Sequence, residues 1–214
     1  MAGVRSRAAA IVLQRAGFKD VHSMQGGLRA WEGILAQGFP KPLMSFLAHA
    51  QSPEEYAALA WILEDGMKRF YSQMAGTFSA SRANAQLFDH LAAAEEHHKS
   101  ELVSLYASIS GKEADSGFPY SLVSESSRDG FLEGGVALED ALGWADGKEV
   151  IEVLELCIAL ETTAYDRYLL MEDQVEDASS KRVFHLLSSE EKRHLRSMTE
   201  QFDTMRKDRP AAPE

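Results

Sequence analysis

The sequence predicts an all-α four-helix bundle with a long connection between its second and third helices, preceded by a small α/β segment. Two observations predict the bundle. Glu95 and His98 stand three residues apart, and Glu191 and His194 repeat that spacing later in the chain. The apolar positions around the two pairs also match, with Phe88, Leu91 and Leu102 corresponding to Phe184, Leu187 and Met198. A single Glu-x-x-His pair is a weak signal, but a repeat in matching surroundings is a strong one.

A second matching element lies upstream of each pair. In the segments from Ala57 to Tyr71 and from Leu154 to Tyr168, a leucine and a glutamate are followed, two helical turns later, by a tyrosine. The chain therefore holds two copies of a helix pair, each with one glutamate on its first helix and Glu-x-x-His on its second. Neither copy can bury its apolar face alone, so we expect the two pairs to pack together.

Local signals delimit the helices. Ser52 is a suitable N-cap with Pro53 in the first turn, and Gly111 ends the second helix. The predicted bundle helices span about residues 52–76, 81–110, 148–175 and 178–206. Short connections within each pair imply antiparallel neighbours, while residues 111–146 form the crossover, with a short helix expected at 136–144.

This pattern resembles a known superfamily. Two glutamate-bearing helices and two Glu-x-x-His helices in one bundle are the arrangement of ferritin-like di-iron carboxylate proteins. The segments Ala60–Glu64 and Ala159–Glu161, with Phe70, Tyr71, Tyr165 and Tyr168, are similar to the rubrerythrin branch. The resemblance covers about residues 43–206. It implies two bound iron ions, with manganese or zinc as substitutes, and a homodimer.

The predicted metal ligands come from all four helices: Glu64, Glu95, His98, Glu161, Glu191 and His194. The four carboxylates carry about −4, which two divalent ions would neutralise, whereas without metal they would be costly buried like charges. Mixed carboxylate and imidazole ligands suit iron or manganese, with zinc as a substitute. The alternative is a set of buried structural polar groups, but the apolar sequence around Glu64 and Glu161 favours metal.

Two tyrosines are candidate catalytic residues. The resemblance implies that Tyr71 and Tyr168 hydrogen-bond ligand carboxylates or lie beside the metals, and aromatic core residues are the alternative. Rubrerythrins carry a second glutamate on the third helix where this chain has Ala164, so we expect a more symmetric site. Cys157 is expected to be a small buried core residue.

Residues beside the ligands are expected to have other roles. Glu96 and His97 are rotated away from the shared face and should be exposed. Glu190 is not expected to be a ligand, because the residue three positions later is Arg193 rather than histidine.

Residues 1–40 resemble the last part of a rhodanese domain. The segments that carry this resemblance are Gly3–Ser6, Gly17–Phe18 and Gly26–Trp31. The family's nucleophilic cysteine lies three residues before the glycine that matches Gly3, so it is absent from this sequence and we expect no sulfurtransferase activity. We therefore expect three parts: a rhodanese-like remnant (1–40), natural or truncated, that packs on the bundle or a second chain, the bundle (41–206) and a tail (207–214).

Charge and composition argue against some classes of function and partner. A net charge of −11 argues against nucleic acid or an anionic membrane as a partner, and the absence of a long apolar run or signal peptide predicts a cytoplasmic protein. The resemblance implies an oxidoreductase that reduces hydrogen peroxide or reacts with dioxygen. A single cysteine cannot form a four-cysteine rubredoxin-type site, so electrons would come from a separate donor protein. The alternatives are a metal-binding protein without turnover and an interaction scaffold.

Overall fold

The computed structural model describes Leu13, residues 17–21, Ala50, residues 52–124 and residues 130–207. These residues form five α-helices, namely α1 (Pro53–Thr77), α2 (Arg82–Ser110), α3 (Leu138–Ala145), α4 (Val150–Gln174) and α5 (Ala178–Lys207). Most of the expected rhodanese-like segment and nearly all of the expected tail lie outside the described residues. The four long helices match the predicted bundle helices closely.

The helix ends follow the capping signals in the sequence. The Ser52 hydroxyl oxygen accepts a hydrogen bond from the Glu55 backbone N–H at 3.2 Å, which satisfies one of the free N–H groups at the start of α1. Ser81 caps α2 in the same way. Gly111 ends α2 in the left-handed region, with φ of +69°, where a side chain would be strained.

Each pair of long helices forms an antiparallel hairpin. α1 packs mainly against α2, and α4 mainly against α5, while α5 also contacts α1 and α2 and so joins the hairpins. None of the described helices has the combination of length and apolar character that crossing a bilayer requires. The described residues thus form the expected mostly helical bundle.

The crossover is more ordered than the sequence suggested. Its described residues include the 3₁₀ turns Tyr120–Leu122 and Glu133–Gly135 and an antiparallel pair of short strands, β1 (Phe131–Leu132) and β2 (Val136–Ala137). The predicted helix at 136–144 begins too early, because α3 begins at Leu138. The reason is the glycine pair Gly134 and Gly135, whose positive φ angles of +76° and +74° reverse the chain so that Val136 pairs with Leu132.

The core consists of two apolar clusters, and each long helix passes from one to the other. One cluster includes Met67 and Phe70 of α1, Leu91 of α2, Leu160 of α4 and Met198 of α5. The other includes Ala60 of α1, Leu102 of α2, Ala164 of α4 and Leu187 of α5. On every long helix, a buried glutamate lies between the positions that belong to the two clusters. The bundle therefore holds a polar layer between two apolar layers.

Candidate metal centre

The polar layer contains all six predicted metal ligands. All six are buried: the exposed fraction is 0% for Glu64, Glu95, Glu161 and Glu191, 3% for His98 and 7% for His194. The Glu-x-x-His spacing puts both members of each pair on the inner face of α2 or α5, as i and i+3 positions require. The duplicated hairpins bring the two pairs face to face. The neighbours Glu96 and His97 are exposed, as expected.

The two histidines lie at the centre of the layer. His98 Nδ1 is 3.1 Å from Glu64 Oε2 and 3.2 Å from Glu95 Oε2. His194 Nδ1 is 3.4 Å from both Glu95 Oε1 and Glu161 Oε2, and the two imidazole rings have centroids 4.5 Å apart. Glu95 therefore approaches both histidines, one with each carboxylate oxygen.

The chemistry of these side chains fits a pair of metal ions. Three groups each bring their ligand atoms within 4.8 Å of one another: Glu95, His98 and His194; Glu161, Glu191 and His194; and Glu64, Glu133 and Glu191. Both carboxylate oxygens of Glu95 and Glu191 and both ring nitrogens of His194 are buried without a hydrogen-bond partner. Leaving such atoms unpaired in a dry interior is costly, and a metal ion would satisfy them. Carboxylate and imidazole together suit iron or manganese.

Glu133 is a fifth buried carboxylate in the layer, and the sequence analysis missed it. It lies in the crossover turn between β1 and β2, is fully buried, and shares a group with Glu64 and Glu191. The layer therefore contains a buried carboxylate beyond the predicted four, and it lies on the Glu64 side of the layer. The sequence did contain a signal for it, because two apolar residues precede this glutamate and two glycines follow it. That stretch was interpreted only as a connection between helices.

Glu190 also belongs to the site, although not through the role considered in the sequence. Its i+3 neighbour Arg193 forms an ion pair with it. Glu190 is nevertheless 3% exposed, and its Oε2 lies 2.8 Å from Nε2 of His98 on the opposite hairpin. A carboxylate at the far ring nitrogen of a ligand histidine fixes the orientation of the ring. Glu190 lies next to the ring nitrogen of His98 opposite Nδ1, although the geometry of this contact is not that of a hydrogen bond.

The two tyrosines contact different carboxylates. The Tyr71 hydroxyl donates a hydrogen bond to Glu161 Oε1 at 2.7 Å, and the Tyr168 hydroxyl donates a longer one to Glu133 Oε1 at 3.4 Å. Burial, followed by nearby carboxylates, raises the pKa of both phenols well above the usual value, so both remain protonated donors. Cys157 is fully buried, as expected, and burial raises the pKa of its thiol.

Crowding divides the carboxylates into two kinds. Burial, and then the charge of neighbouring carboxylates, raises the pKa of Glu95, Glu133 and Glu191 well above the ordinary value. Burial is the largest influence on Glu64 and opposes its ionisation, but hydrogen bonds with His98 and Glu95 and the charge of the two histidines together outweigh it and lower that pKa. For Glu161, contacts with Glu191, His194 and Tyr71 overcome burial and lower the pKa to about 2. Without metal, the layer therefore favours a mixture of protonated and ionised glutamates.

These shifts predict how the stability of the metal-free protein depends on pH. The three raised carboxyl groups stabilise the fold fully below the unfolded-state pKa of about 4.3, and this contribution is lost as pH rises through their folded-state pKa values. The two lowered groups contribute stability above about pH 4.3 and lose it only at strongly acidic pH. We therefore expect the melting temperature of chelator-treated protein to fall between pH 5.5 and pH 8.

Metal should reverse this trend, because ligands must be deprotonated to bind it and affinity then rises with pH. Thermal melts of metal-free and metal-loaded protein at both pH values provide the check, and the two melting temperatures should diverge as pH increases. A metal-free melting temperature that rises with pH would contradict the assignment of the raised groups.

Comparisons with known proteins agree with this architecture. A solved structure titled as a hypothetical protein from Pyrococcus furiosus is similar to this chain with a TM-score of 0.51 and 23% sequence identity. The similarity covers 81% of this chain and 100% of that chain, and at this identity it shows the fold alone. Residues 152–213, which include almost all of α4 and α5, match the family model described as Rubrerythrin. No curated protein matches the chain.

The family match bears on the second hairpin only. It supports the rubrerythrin-like resemblance for the segment that carries Glu161, Glu191 and His194. The rhodanese-like resemblance of residues 1–40 receives no support from these comparisons.

Proposed function

We propose that this protein is a rubrerythrin-like di-iron oxidoreductase that reduces hydrogen peroxide, or reacts with dioxygen, with electrons from a separate donor protein. The observation that carries the proposal is the convergence of carboxylate and imidazole groups from all four long helices on one buried layer, with many of their polar atoms unpaired. The family match over the second hairpin supports iron as the metal.

The residues that would hold the ions are Glu64, Glu95, His98, Glu161, Glu191 and His194. Two adjacent iron ions would supply the two electrons that reduction of a peroxide to water consumes. The apolar clusters on either side of the layer restrict water around the ligands. A dry surrounding strengthens each electrostatic contact within the layer.

The remaining site residues contact the ligands. The Tyr71 hydroxyl donates to Oε1 of Glu161, which leaves Oε2 directed toward His194. Glu190 Oε2 lies 2.8 Å from Nε2 of His98 on the opposite hairpin, as an ion-pair contact with that ring when it is protonated. The high pKa of the Tyr71 phenol keeps its proton in place, so it acts in this arrangement as a hydrogen-bond donor rather than as a base.

Reconstitution with ferrous iron under anaerobic conditions tests the proposal. We expect about two iron ions per chain, rapid oxidation by about one hydrogen peroxide per pair of ions, and recovery of the ferrous form with a chemical reductant. Metal analysis and the visible absorption of ferric iron report these steps. A variant with both Glu64→Ala and Glu161→Ala should lose the bound iron and the reaction.

Other results would favour the alternatives. Iron that binds but is unchanged by peroxide would indicate a metal-binding protein without turnover. Unaltered metal content in the double variant would remove both interpretations, because no metal could then depend on the buried layer.

A further inference from the structure

Glu133 lies in the polar layer because of the backbone turn between β1 and β2. β1 and β2 pair with each other, and the turn between them contains Glu133, Gly134 and Gly135. An added Cβ at Gly134 would meet Thr163 at 3.5 Å and the Leu160 carbonyl at 3.6 Å, so the turn lies directly on α4. With both glycines at positive φ, few other residues would allow this turn.

The Glu133 carboxylate has one partnered and one unpartnered oxygen. Oε1 accepts the hydrogen bond from Tyr168, whereas Oε2 is buried without a hydrogen-bond partner. The group formed with Glu64 and Glu191 has its ligand atoms within 4.8 Å of one another. The free oxygen therefore belongs to a cluster of donor atoms from three separate elements, α1, the crossover and α5.

A cation is the partner that this arrangement lacks. When it is ionised, Glu133 adds a like charge to a layer that already holds the four predicted carboxylates and Glu190, which is unfavourable unless a positive charge compensates it. The buried lysine beside His98 does not provide that charge, because Lys99 pairs with Asp65 at 2.7 Å and with Glu96 at 3.1 Å. A structural polar residue would need a partner for each oxygen, and Glu133 has one for Oε1 only.

We propose that Glu133 is a seventh metal ligand, which binds the ion next to Glu64 and makes the two metal positions chemically different. This inference rests on the proposed function, since it presupposes a metal pair in the layer. Each position has an imidazole nearby, His98 beside Glu64 and His194 beside Glu161, but Glu133 adds a further carboxylate only at the position beside Glu64. Carboxylate ligands suit manganese, so the two positions should differ in affinity for Mn²⁺.

Titration of metal-free protein with Mn²⁺ tests the proposal, with free Mn²⁺ measured by electron paramagnetic resonance. We expect wild type to bind about two Mn²⁺ per chain. Glu133→Gln keeps the shape of the side chain and an acceptor for Tyr168, but it loses a charged ligand. Loss of a residue that only contacts a ligand lowers metal affinity by about 10–100-fold. Glu133→Gln should lower the Mn²⁺ affinity of one position by more than this and leave the affinity of the other nearly unchanged. Glu139→Gln removes the same charge from an exposed crossover position and should bind as wild type does.

The outcomes separate this inference from the proposed function. If wild type binds no Mn²⁺ and no iron, the metal layer itself is refuted. If wild type and Glu133→Gln bind two ions with equal affinities, the metal pair stands and Glu133 is a structural residue. Glu133→Asp, which keeps the charge and retracts the carboxylate by one methylene, repeats the test should glutamine disturb folding. Selective weakening of one position supports the assignment there, and equal weakening of both overturns it.

Discussion

Glu95→Gln should abolish binding of the metal pair and, at the same time, stabilise the metal-free protein. Glu95 approaches both histidines, so it is placed to contribute to both metal positions. Without metal, neither of its oxygens has a hydrogen-bond partner, and burial together with Glu64 raises its pKa well above the ordinary value. A neutral amide of the same shape removes that unfavourable charge. We expect metal content well below one ion per chain and a higher melting temperature for the metal-free variant at pH 8.

The loss in the metal-loaded state should be large. Metal present at about a thousand times its dissociation constant stabilises a folded protein by about 4 kcal/mol, and Glu95→Gln should forfeit most of this gain. Metal analysis and thermal melts with and without metal provide the measurement.

Glu96→Gln is the matched control, because it changes the next residue of the same helix. Glu96 is exposed and pairs with Lys68 at 2.7 Å, a surface interaction worth about 0–1 kcal/mol. This variant should keep both ions and the metal-dependent rise in melting temperature. The opposite pattern, in which Glu95→Gln keeps its metal and destabilises the metal-free protein, would identify Glu95 as a structural polar residue.

The bundle could be predicted from the sequence because its signals are local and repeated. Ser52, Ser81 and Gly111 mark helix ends through hydrogen bonds and backbone angles that depend on only a few neighbouring residues. The Glu-x-x-His repeat then puts the candidate ligands in the same polar layer on α2 and α5. Because these helix ends depend on local interactions, tertiary contacts alter them little. The bounds of the long helices therefore agree with the prediction to within a few residues.

The same local rules could not predict that Glu133 and Glu190 are buried in the layer. Glu133 lies on neither repeated helix pair, and its burial depends on how the crossover packs against α1 and α4. Glu190 contacts His98 on the other hairpin, and a contact between two hairpins has no sequence signature. Both residues act through contacts between distant parts of the chain. Pattern analysis therefore located the buried glutamates and histidines that repeat on the four long helices, and it missed the buried carboxylates that make the two halves of the layer different.

Gly66→Ala should destabilise the protein although it replaces glycine by a better helix former. Gly66 is buried in the middle of α1, and a Cβ at this position would overlap the backbone carbonyl oxygen of Phe131 in β1. The obstructing atom belongs to the backbone, so no side-chain rotation can relieve the contact and β1 must move. Overpacking of this kind costs typically about 1–3 kcal/mol, which exceeds or offsets the gain of about 1 kcal/mol in helix propensity. Because Glu133 follows β1 directly, the displacement should also weaken the metal position beside Glu64.

Gly76→Ala on the same helix supplies the control with the opposite sign. Nothing lies within 4 Å of a Cβ at Gly76, so alanine there should raise the free energy of unfolding by about 0.5–1 kcal/mol. Urea unfolding of both variants, with Mn²⁺ binding measured in parallel, separates the two effects. Equal stabilisation by both alanines would mean that β1 does not pack on α1 at Gly66. In that case the crossover would have no fixed contact there to hold Glu133 in the layer.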